Sequence, residues 1–145
     1  MSLVTDVADA VATELNYAPG GTFSEPFTAR RLVLPEFDLA ALAELRVTVV
    51  PKSLQITGTT RSASRYDIGV DIGVQKKLGK DLDAEVAQLG TLVDQIADHL
   101  RNRPLALAPY ALWAGTANEP VYAPEHLAEQ RVFTSVLTLT YRTMR

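Results

Sequence analysis

The chain has 145 residues, of which 47% are hydrophobic and 21% charged, a composition typical of one soluble globular domain. Its 14 basic and 17 acidic side chains give a net charge of −3, which argues against a surface built throughout to bind nucleic acid phosphates. There is no cysteine, so disulfides, thiolate nucleophiles and cysteine-based zinc sites are excluded. The first residues lack the basic region of a secretory signal, and no uncharged stretch reaches the ~20 residues of a membrane helix. We therefore expect residues 1–145 to form a single intracellular domain without a membrane segment.

The net charge conceals an alternation along the chain. It is −4 over residues 1–27, +4 over 28–80, −5 over 81–98 and +2 over 99–145. Two interpretations fit this pattern. The segments can be the solvated faces of an ordinary domain, or they can be acidic and basic surfaces through which identical copies meet.

Two segments have the apolar spacing of amphipathic helices. The first has Leu3, Val7, Val11 and Leu15 on one face; Ser2 or Thr5 can cap its start, and residues 16–21 with Pro19, Gly20 and Gly21 stop it. The second covers residues 81–103, with acidic side chains in its first turns and basic ones in its last, where the helix dipole favours each sign, and it ends at Pro104. The apolar stripe of this longer helix is Leu82, Val86, Leu89, Val93, Ile96 and Leu100.

Extended segments account for most of the remaining chain. They are rich in β-branched residues and are bounded by prolines or turn residues: 27–34, 45–50, 53–57, 65–75 and 131–142. Segment 53–57 either continues the strand before it or pairs with it. Short helical turns are expected at 38–44 and 124–129. Long strands grouped around one long helix predict an α+β fold, a mainly antiparallel sheet covered by one long and one shorter α-helix.

Segment 65–75 alternates strictly between two faces. Its apolar face is suited to a core and consists of Tyr66, Ile68, Val70, Ile72 and Val74. The opposite face, here called the polar face, carries Asp67, Gly69, Asp71, Gly73 and Gln75. Its two carboxylates would lie about 13 Å apart, too far for a shared-proton dyad or a glycosidase pair. Since glycine weakens a strand and permits close approach of another chain, we interpret the polar face as a contact surface, with a plain solvated face as the alternative.

The sequence contains few residues with the pattern of a chemical site. His99 and His126 are the only histidines, and each is explained better as a surface residue near a helix end than as a metal ligand. A nucleophile elbow, a glycine-rich phosphate loop and a dinucleotide fingerprint are all absent from the sequence. We therefore expect no catalytic, cofactor-binding or metal-binding residues, and no enzyme activity.

A polar, small and basic segment at 58–65 is a candidate docking loop. Its candidate contact residues are Thr59, Thr60, Arg61 and Arg65, and loops that project from a scaffold commonly carry binding residues. The alternative is a mobile hairpin tip without a partner. The segment lacks the interleaved aromatic and basic residues of a platform for single-stranded nucleic acid.

Several stretches resemble small neck and tail proteins of tailed bacteriophages and prophages. They are FTSVLTLTYR at 133–142, WAGTANEP at 113–120, PEHL at 124–127, and VDIGVQKKL at 70–78 followed by the acidic helix. The resemblance extends over residues 3–142, and it consists of strand and turn patterns rather than chemical motifs. In size and element order, the chain is most similar to the tail terminator, or tail completion, proteins.

This resemblance implies a structural virion protein. Residues 1–145 would form one tail-terminator-like domain, the subunit of a homo-oligomeric, hexameric ring at the head-proximal end of the tail tube. Such a ring ends tail polymerisation and joins the tail to the head. Its partners would be the tail tube protein and the head-tail connector proteins, without a cofactor. It would be found in the tail or neck of the virion after assembly in the host cytoplasm.

Other functions stay open beside this one. A head-closure or head-tail joining connector protein fits the same resemblance, and a small ligand-binding or enzymatic α+β domain fits the composition. In a ring, genome DNA must slide through the lumen without specific binding, so an acidic or neutral lining is expected. We therefore predict that Asp67, Asp71 and Gln75 face either the lumen or the neighbouring subunit, and that the loop with Arg61 docks to an adjoining ring.

Overall fold

A computed structural model describes residues 2–33 and 43–145 of the chain. Its elements are α1 Leu3–Asn16, β1 Ala29–Arg31, β2 Arg46–Gly58, β3 Ser64–Lys77, α2 Leu82–Leu100, β4 Leu112–Asn118, α3 Pro124–Gln130 and β5 Val132–Met144. The strands form one five-stranded sheet in the order β1-β2-β3-β5-β4. The β1–β2 pair is parallel and the other pairs are antiparallel. The predicted α+β class with a mainly antiparallel sheet is therefore confirmed, and the sheet contains one parallel pair that was not predicted.

Polar side chains at the two ends of helix α1 make hydrogen bonds that cap its start and connect its end to β1. At its start, the Ser2 hydroxyl accepts a hydrogen bond from the Thr5 backbone N–H at 3.1 Å, which satisfies one free donor of the first turn. At its end, the Asn16 amide donates to the Ala29 carbonyl at 3.0 Å and accepts from the Ala29 N–H at 2.7 Å. Asn16 thereby fixes the start of β1, which spans three residues instead of the predicted 27–34.

Helix α2 is shorter than its sequence pattern predicts. Its cap, Asp81, accepts a hydrogen bond from the Ala84 N–H at 3.2 Å, and the helix ends at Leu100 instead of Arg103. The backbone leaves the helical conformation at Arg101 and is left-handed at Asn102, whose φ is 56°. The chain therefore leaves the helix a few residues before Pro104, as is common where a proline follows a helix end.

The predicted strands 45–50 and 53–57 are one continuous strand. Both belong to β2, and a bulge between Pro51 and Ser53 separates its halves. The inner half is largely buried, whereas residues 52–58 are all exposed. We call residues 52–63, the outer half of β2 and the turn after it, the hairpin arm.

Strand β4 was not predicted from the sequence. Its residues 112–118 include Gly115 and lack regular alternation, and a bulge between Trp113 and Gly115 interrupts its pairing with β5. The short helix predicted at 124–129 is present as α3 and ends at Arg131, which is left-handed with φ 52°. Most of the helical turn predicted at 38–44 lies outside the described residues.

The core lies between one face of the sheet and helices α1 and α2. Ile68, Val70, Ile72 and Val74 are fully buried there, as the alternation in 65–75 predicts. They pack in one cluster with apolar residues of both helices. The polar face of β3 is consequently the sheet face turned away from α1 and α2.

Candidate functional site

Asp67 lies on the polar face within a group of two arginines. Its Oδ1 accepts a hydrogen bond from Arg142 Nε at 2.8 Å, and its Oδ2 lies 3.3 Å from Arg65 Nε. The hydrogen bond from Arg142 and the positive charges of Arg142 and Arg65 hold the pKa of this carboxyl below its usual range. Asp67 is thus ionised and paired within its own subunit.

Asp71 is also engaged by its own sheet. The Thr138 hydroxyl of β5 donates to its Oδ1 at 2.7 Å, and Lys52 Nζ of β2 lies 3.7 Å from the same oxygen. Cross-strand pairs of this kind stabilise a sheet by a few tenths of a kcal/mol to about 1 kcal/mol. Because Asp67 and Asp71 are both matched by cations, the polar face is close to neutral rather than acidic.

The two glycines of the polar face lie against hydroxyl side chains of the adjacent strand. A Cβ atom on Gly69 would collide with the Ser53 hydroxyl, and one on Gly73 would come within 3.0 Å of the Thr48 hydroxyl. Glycine at these positions therefore lets β2 place polar side chains over β3. The close approach that the glycines predicted occurs, but inside the subunit.

Gln75 is buried at the inner end of the polar face, with 1% of its surface exposed. Among the residues that the structure describes, neither atom of its side-chain amide has a hydrogen-bond partner, and the same is true of the Thr48 hydroxyl. An unpaired buried polar group of this kind costs about 1–3 kcal/mol. Gln75 is therefore separate from Asp67 and Asp71, which reach the surface.

Gln75 and Thr48 form part of the floor of a groove on this side of the sheet. The groove has a volume of about 490 Å³ and is mainly apolar, with Val33, Val50, Pro51, Pro120 and Val136 in its lining. His126 also lines it, and its Nδ1 lies 3.0 Å from the Thr134 hydroxyl. The groove thus offers a mainly apolar lining of the kind that binds apolar ligands or chain segments, and the Gln75 amide lies beneath that lining without contact to solvent.

The tip of the hairpin arm is an ordered turn. The Ala63 carbonyl accepts from the backbone N–H groups of Thr59 and Thr60, at 3.4 and 3.2 Å, and the Thr60 hydroxyl accepts from the Ala63 N–H at 3.0 Å. Arg61 is exposed at this tip. The fourth candidate, Arg65, belongs to β3 and lies beside Asp67, so only Thr59, Thr60 and Arg61 share the docking position.

The arm also exposes apolar side chains on an unpaired strand edge. Leu54 is 43% and Ile56 55% exposed. In the part of the chain that the structure describes, β1 pairs with β2 only as far as Val49, and no strand covers the outer side of residues 52–58. At the other edge of the sheet Leu112, the first residue of β4, is 65% exposed. The sequence indicated the strand at 53–57 but gave no sign that it lies at an edge.

His99 is a packing residue and not the surface residue that the sequence predicted. Its ring meets the edge of Phe23 at 5.4 Å between centroids, and its Nε2 lies 3.3 Å from the Glu14 carbonyl oxygen. Burial lowers the pKa of this imidazole, and the nearby Arg103 charge adds to the effect. His99 therefore joins α2 to α1 and the loop that follows α1.

Within ranges 2–33 and 43–145, no group of three or more His, Asp or Glu side chains is placed to bind a metal ion. None of the helices in these ranges has the length and hydropathy needed to cross a membrane. No family model matches the sequence, and no characterised protein is significantly similar to it. The features that remain for a functional argument are the hairpin arm, the polar face and the groove.

Proposed function

We propose that the protein is a structural virion protein, a tail terminator whose copies form a ring at the head-proximal end of a phage tail tube. The observation that carries the proposal is the hairpin arm, where residues 52–58 are exposed along an unpaired strand edge. Soluble proteins protect such edges or use them for assembly, because an open edge recruits another strand. An arm that exposes Leu54 and Ile56 favours assembly over a solitary subunit.

The polar face supports the same function. DNA that passes through a ring moves freely only where few cations contact its phosphates. On this face Asp67 is paired with Arg142 and Arg65, and Asp71 with Lys52. Two carboxylates offset two of these three cations, so few free positive charges remain to hold DNA phosphates, and the face is suited to the lumen as well as to a subunit contact.

Deletion of the gene from the genome that carries it tests the function. We expect filled heads without tails, and tail tubes of uncontrolled length, when the lysate is viewed by electron microscopy. Complementation with the wild-type gene restores joined particles of uniform tail length. Normal particles from the deletion strain would refute the proposal. Joined particles that leak DNA would instead favour the head-closure or connector role.

Charge reversal on the polar face is the first prediction for this assay. Asp67→Lys with Asp71→Lys removes two carboxylates that neutralise Arg142, Arg65 and Lys52, so phosphate contacts increase and DNA passage or assembly fails. We expect a large loss of infectivity in complementation, with circular dichroism to verify folding. The matched control, Glu44→Lys with Asp83→Lys, makes the same change in charge at exposed positions elsewhere. Equal infectivity of the two double variants would argue against a role for this face.

Shortening the tip of the arm is the second prediction. Replacement of residues 59–63 by a Gly-Asn-Gly turn keeps the hairpin connected but removes Thr59, Thr60 and Arg61. We expect the subunit to fold, because these residues bond only within the turn, and tail-to-head joining to be abolished. Ser62→Ala, in the same turn, serves as the control. Tail-to-head joining at wild-type efficiency would show that the tip of the arm is not a docking site.

A ligand-binding domain is the second candidate function, and one observation favours it. The groove of about 490 Å³ is mainly apolar, and its size and lining are those of sites that bind small apolar molecules. This candidate would be favoured over the ring if the gene-deletion strain kept wild-type infectivity and a compound from a small-molecule library raised the melting temperature of the protein.

A further inference from the structure

We propose that two copies of the chain pair through their hairpin arms, with the outer half of β2 running antiparallel to the same segment of the second copy about a two-fold axis at Ile56. A two-fold contact uses one patch twice, whereas neighbours in a ring meet through two different patches. The pairing therefore describes the free subunit before it reaches a tail. It goes beyond the proposed function and does not depend on it.

The outer half of β2 lacks the features that commonly protect a strand edge, which are charges, prolines and bulges. Residues 53–58 have the sequence SLQITG, without a charge or a proline, and they pair with β3 in regular register. At the other edge of the sheet, a bulge between Trp113 and Gly115 interrupts β4. The β2 edge is therefore the one better suited to accept a further strand.

The backbone groups of the β2 edge point outward at alternate residues. Ser64 donates to and accepts from Arg145 of the C-terminal segment, so its backbone groups point away from β2. By the two-residue period of a strand, those of Tyr66 point the same way. Ile56, the partner of Tyr66, therefore directs its own N–H and C=O to the open edge. By the same alternation, so do the residues two before it and two after it.

These three outward positions, Leu54, Ile56 and Gly58, match those of a second copy when Ile56 lies opposite its own counterpart. Leu54 then lies opposite Gly58 of the partner subunit, and Gly58 opposite the partner's Leu54. Each of the three pairs joins residues whose backbone groups face each other. Such a pair exchanges two hydrogen bonds, so about six form between the copies.

An axis at another residue fits less well. One residue earlier, the partner's turn would lie level with Val50, next to Leu32, whose N–H is bonded to the Val49 carbonyl at 2.9 Å. One residue later, Leu54 would lie opposite the turn and lose its strand partner. With the axis at Ile56 the partner's strand ends level with Leu54, whereas β1 pairs with β2 only as far as Val49. The added strand and β1 therefore do not compete for the same part of β2.

The side chains of the arm agree with this register. Leu54 and Ile56 lie on the apolar face of the sheet, opposite Ile68 and Tyr66 of β3, and both are largely exposed. In the pair Ile56 meets its counterpart and Leu54 lies diagonally beside it, so four apolar side chains form one cluster and leave water. The polar side chains of residues 55 and 57 meet on the opposite face.

Disulfide trapping between two single variants tests the register, because the chain has no cysteine of its own. Gln55→Cys and Thr57→Cys are mixed under reducing conditions and then oxidised mildly. In the proposed pair, residue 55 of one copy lies opposite residue 57 of the other, with Cα atoms about 4.5 Å apart, within reach of a disulfide. Identical positions of the two copies lie diagonally, about 7–8 Å apart, which is too far. The mixture should give several times more covalent dimer than either variant alone.

The mass of the cross-linked product identifies it, since a dimer with one chain of each variant differs in mass from both homodimers. Ser62→Cys, in the exposed turn, measures the background of random collisions. Absence of the mixed dimer above this background would overturn the pairing. A yield from Gln55→Cys alone equal to that of the mixture would overturn it as well.

Native mass spectrometry of the purified protein is the second test. We expect the wild type to be a dimer. Ile56→Lys places two ammonium groups against each other at the axis and should give monomers, whereas Ser62→Lys should leave the dimer intact. A monomeric wild type, or an Ile56→Lys dimer as abundant as the wild-type dimer, would contradict the proposal.

These outcomes are separate from those of the gene deletion. A mixed disulfide dimer, obtained for a protein whose deletion leaves particles normal, would keep the arm pairing and remove the tail function. Absence of the mixed dimer together with defective tails would keep the function and remove the pairing.

Discussion

Replacement of Gln75 by glutamate is expected to destabilise the subunit strongly at neutral and alkaline pH. The Gln75 amide is 1% exposed, and neither of its polar atoms has a described partner, so the introduced carboxyl would be buried without a compensating charge. A buried, unpaired charge costs about 3–5 kcal/mol. In the folded protein such a carboxyl titrates well above its usual value of about 4.3.

The sign of the pH dependence follows from this shift. Below pH ~4 the carboxyl is protonated in the folded and unfolded states, so it brings no charge penalty. As the pH rises above that value, the unfolded chain loses its proton first and becomes favoured, and the free energy of unfolding falls until the folded state also ionises. Urea denaturation at a series of pH values measures this loss relative to the wild type.

Two control variants isolate the cause. Gln55→Glu makes the same chemical change on the exposed arm and is expected to alter stability by no more than about 0.5 kcal/mol. Gln75→Met keeps a similar shape without an unpaired amide, so it should be at least as stable as the wild type. If Gln75→Glu and Gln55→Glu have the same stability at pH 8, the account of Gln75 as buried and unpaired is wrong.

Leu92→Ala is expected to have the other large effect. Leu92 of α2 is fully buried in the cluster between helices and sheet, and truncation of a core leucine leaves a cavity that costs about 2–5 kcal/mol. The matched control is Leu107→Ala, the same change at a side chain that is 64% exposed, where the expected loss is within about 0.5 kcal/mol. Denaturation midpoints compared at equal slope give both values. Equal losses would show that α2 does not cover the sheet as described.

The sequence-based predictions were most accurate for elements that turn one side to the core, because burial of that side produces the residue pattern directly. The α1 and α2 stripes and the alternation in β3 each reflect one side turned to a core, so period alone identifies them. The extended segment predicted at 131–142 is β5, and its Phe133, Leu137, Leu139 and Tyr141 are all buried in the same core. The hydroxyl of Tyr141 is enclosed as well, and this burial raises the pKa of the phenol.

Features that depend on distant parts of the chain were not predictable from local patterns. Strand β4 forms through its pairing with β5, although apolar and polar side chains alternate poorly in residues 112–118. The start of β1 at Ala29 is held by Asn16, thirteen residues earlier in the chain. Gln75 was grouped with Asp67 and Asp71 by its position in the strand, but the residues around the groove bury it and leave the two carboxylates at the surface. Similarly, the reason for Gly69 and Gly73 lies in β2.

The bulge at Pro51 divides β2 into an inner half that pairs with β1 and an outer half whose edge is open among the described residues. Val70, the residue opposite Pro51, belongs to the same alternation as Tyr66, so Pro51 faces outward, where proline has no N–H to offer a neighbouring strand. The parallel pairing with β1 ends at Val49, just before this position. One imino acid thus marks the boundary between the part of β2 that closes the subunit's own sheet and the part whose outer edge is open among the described residues, and its position sets how many residues of β2 have that open edge.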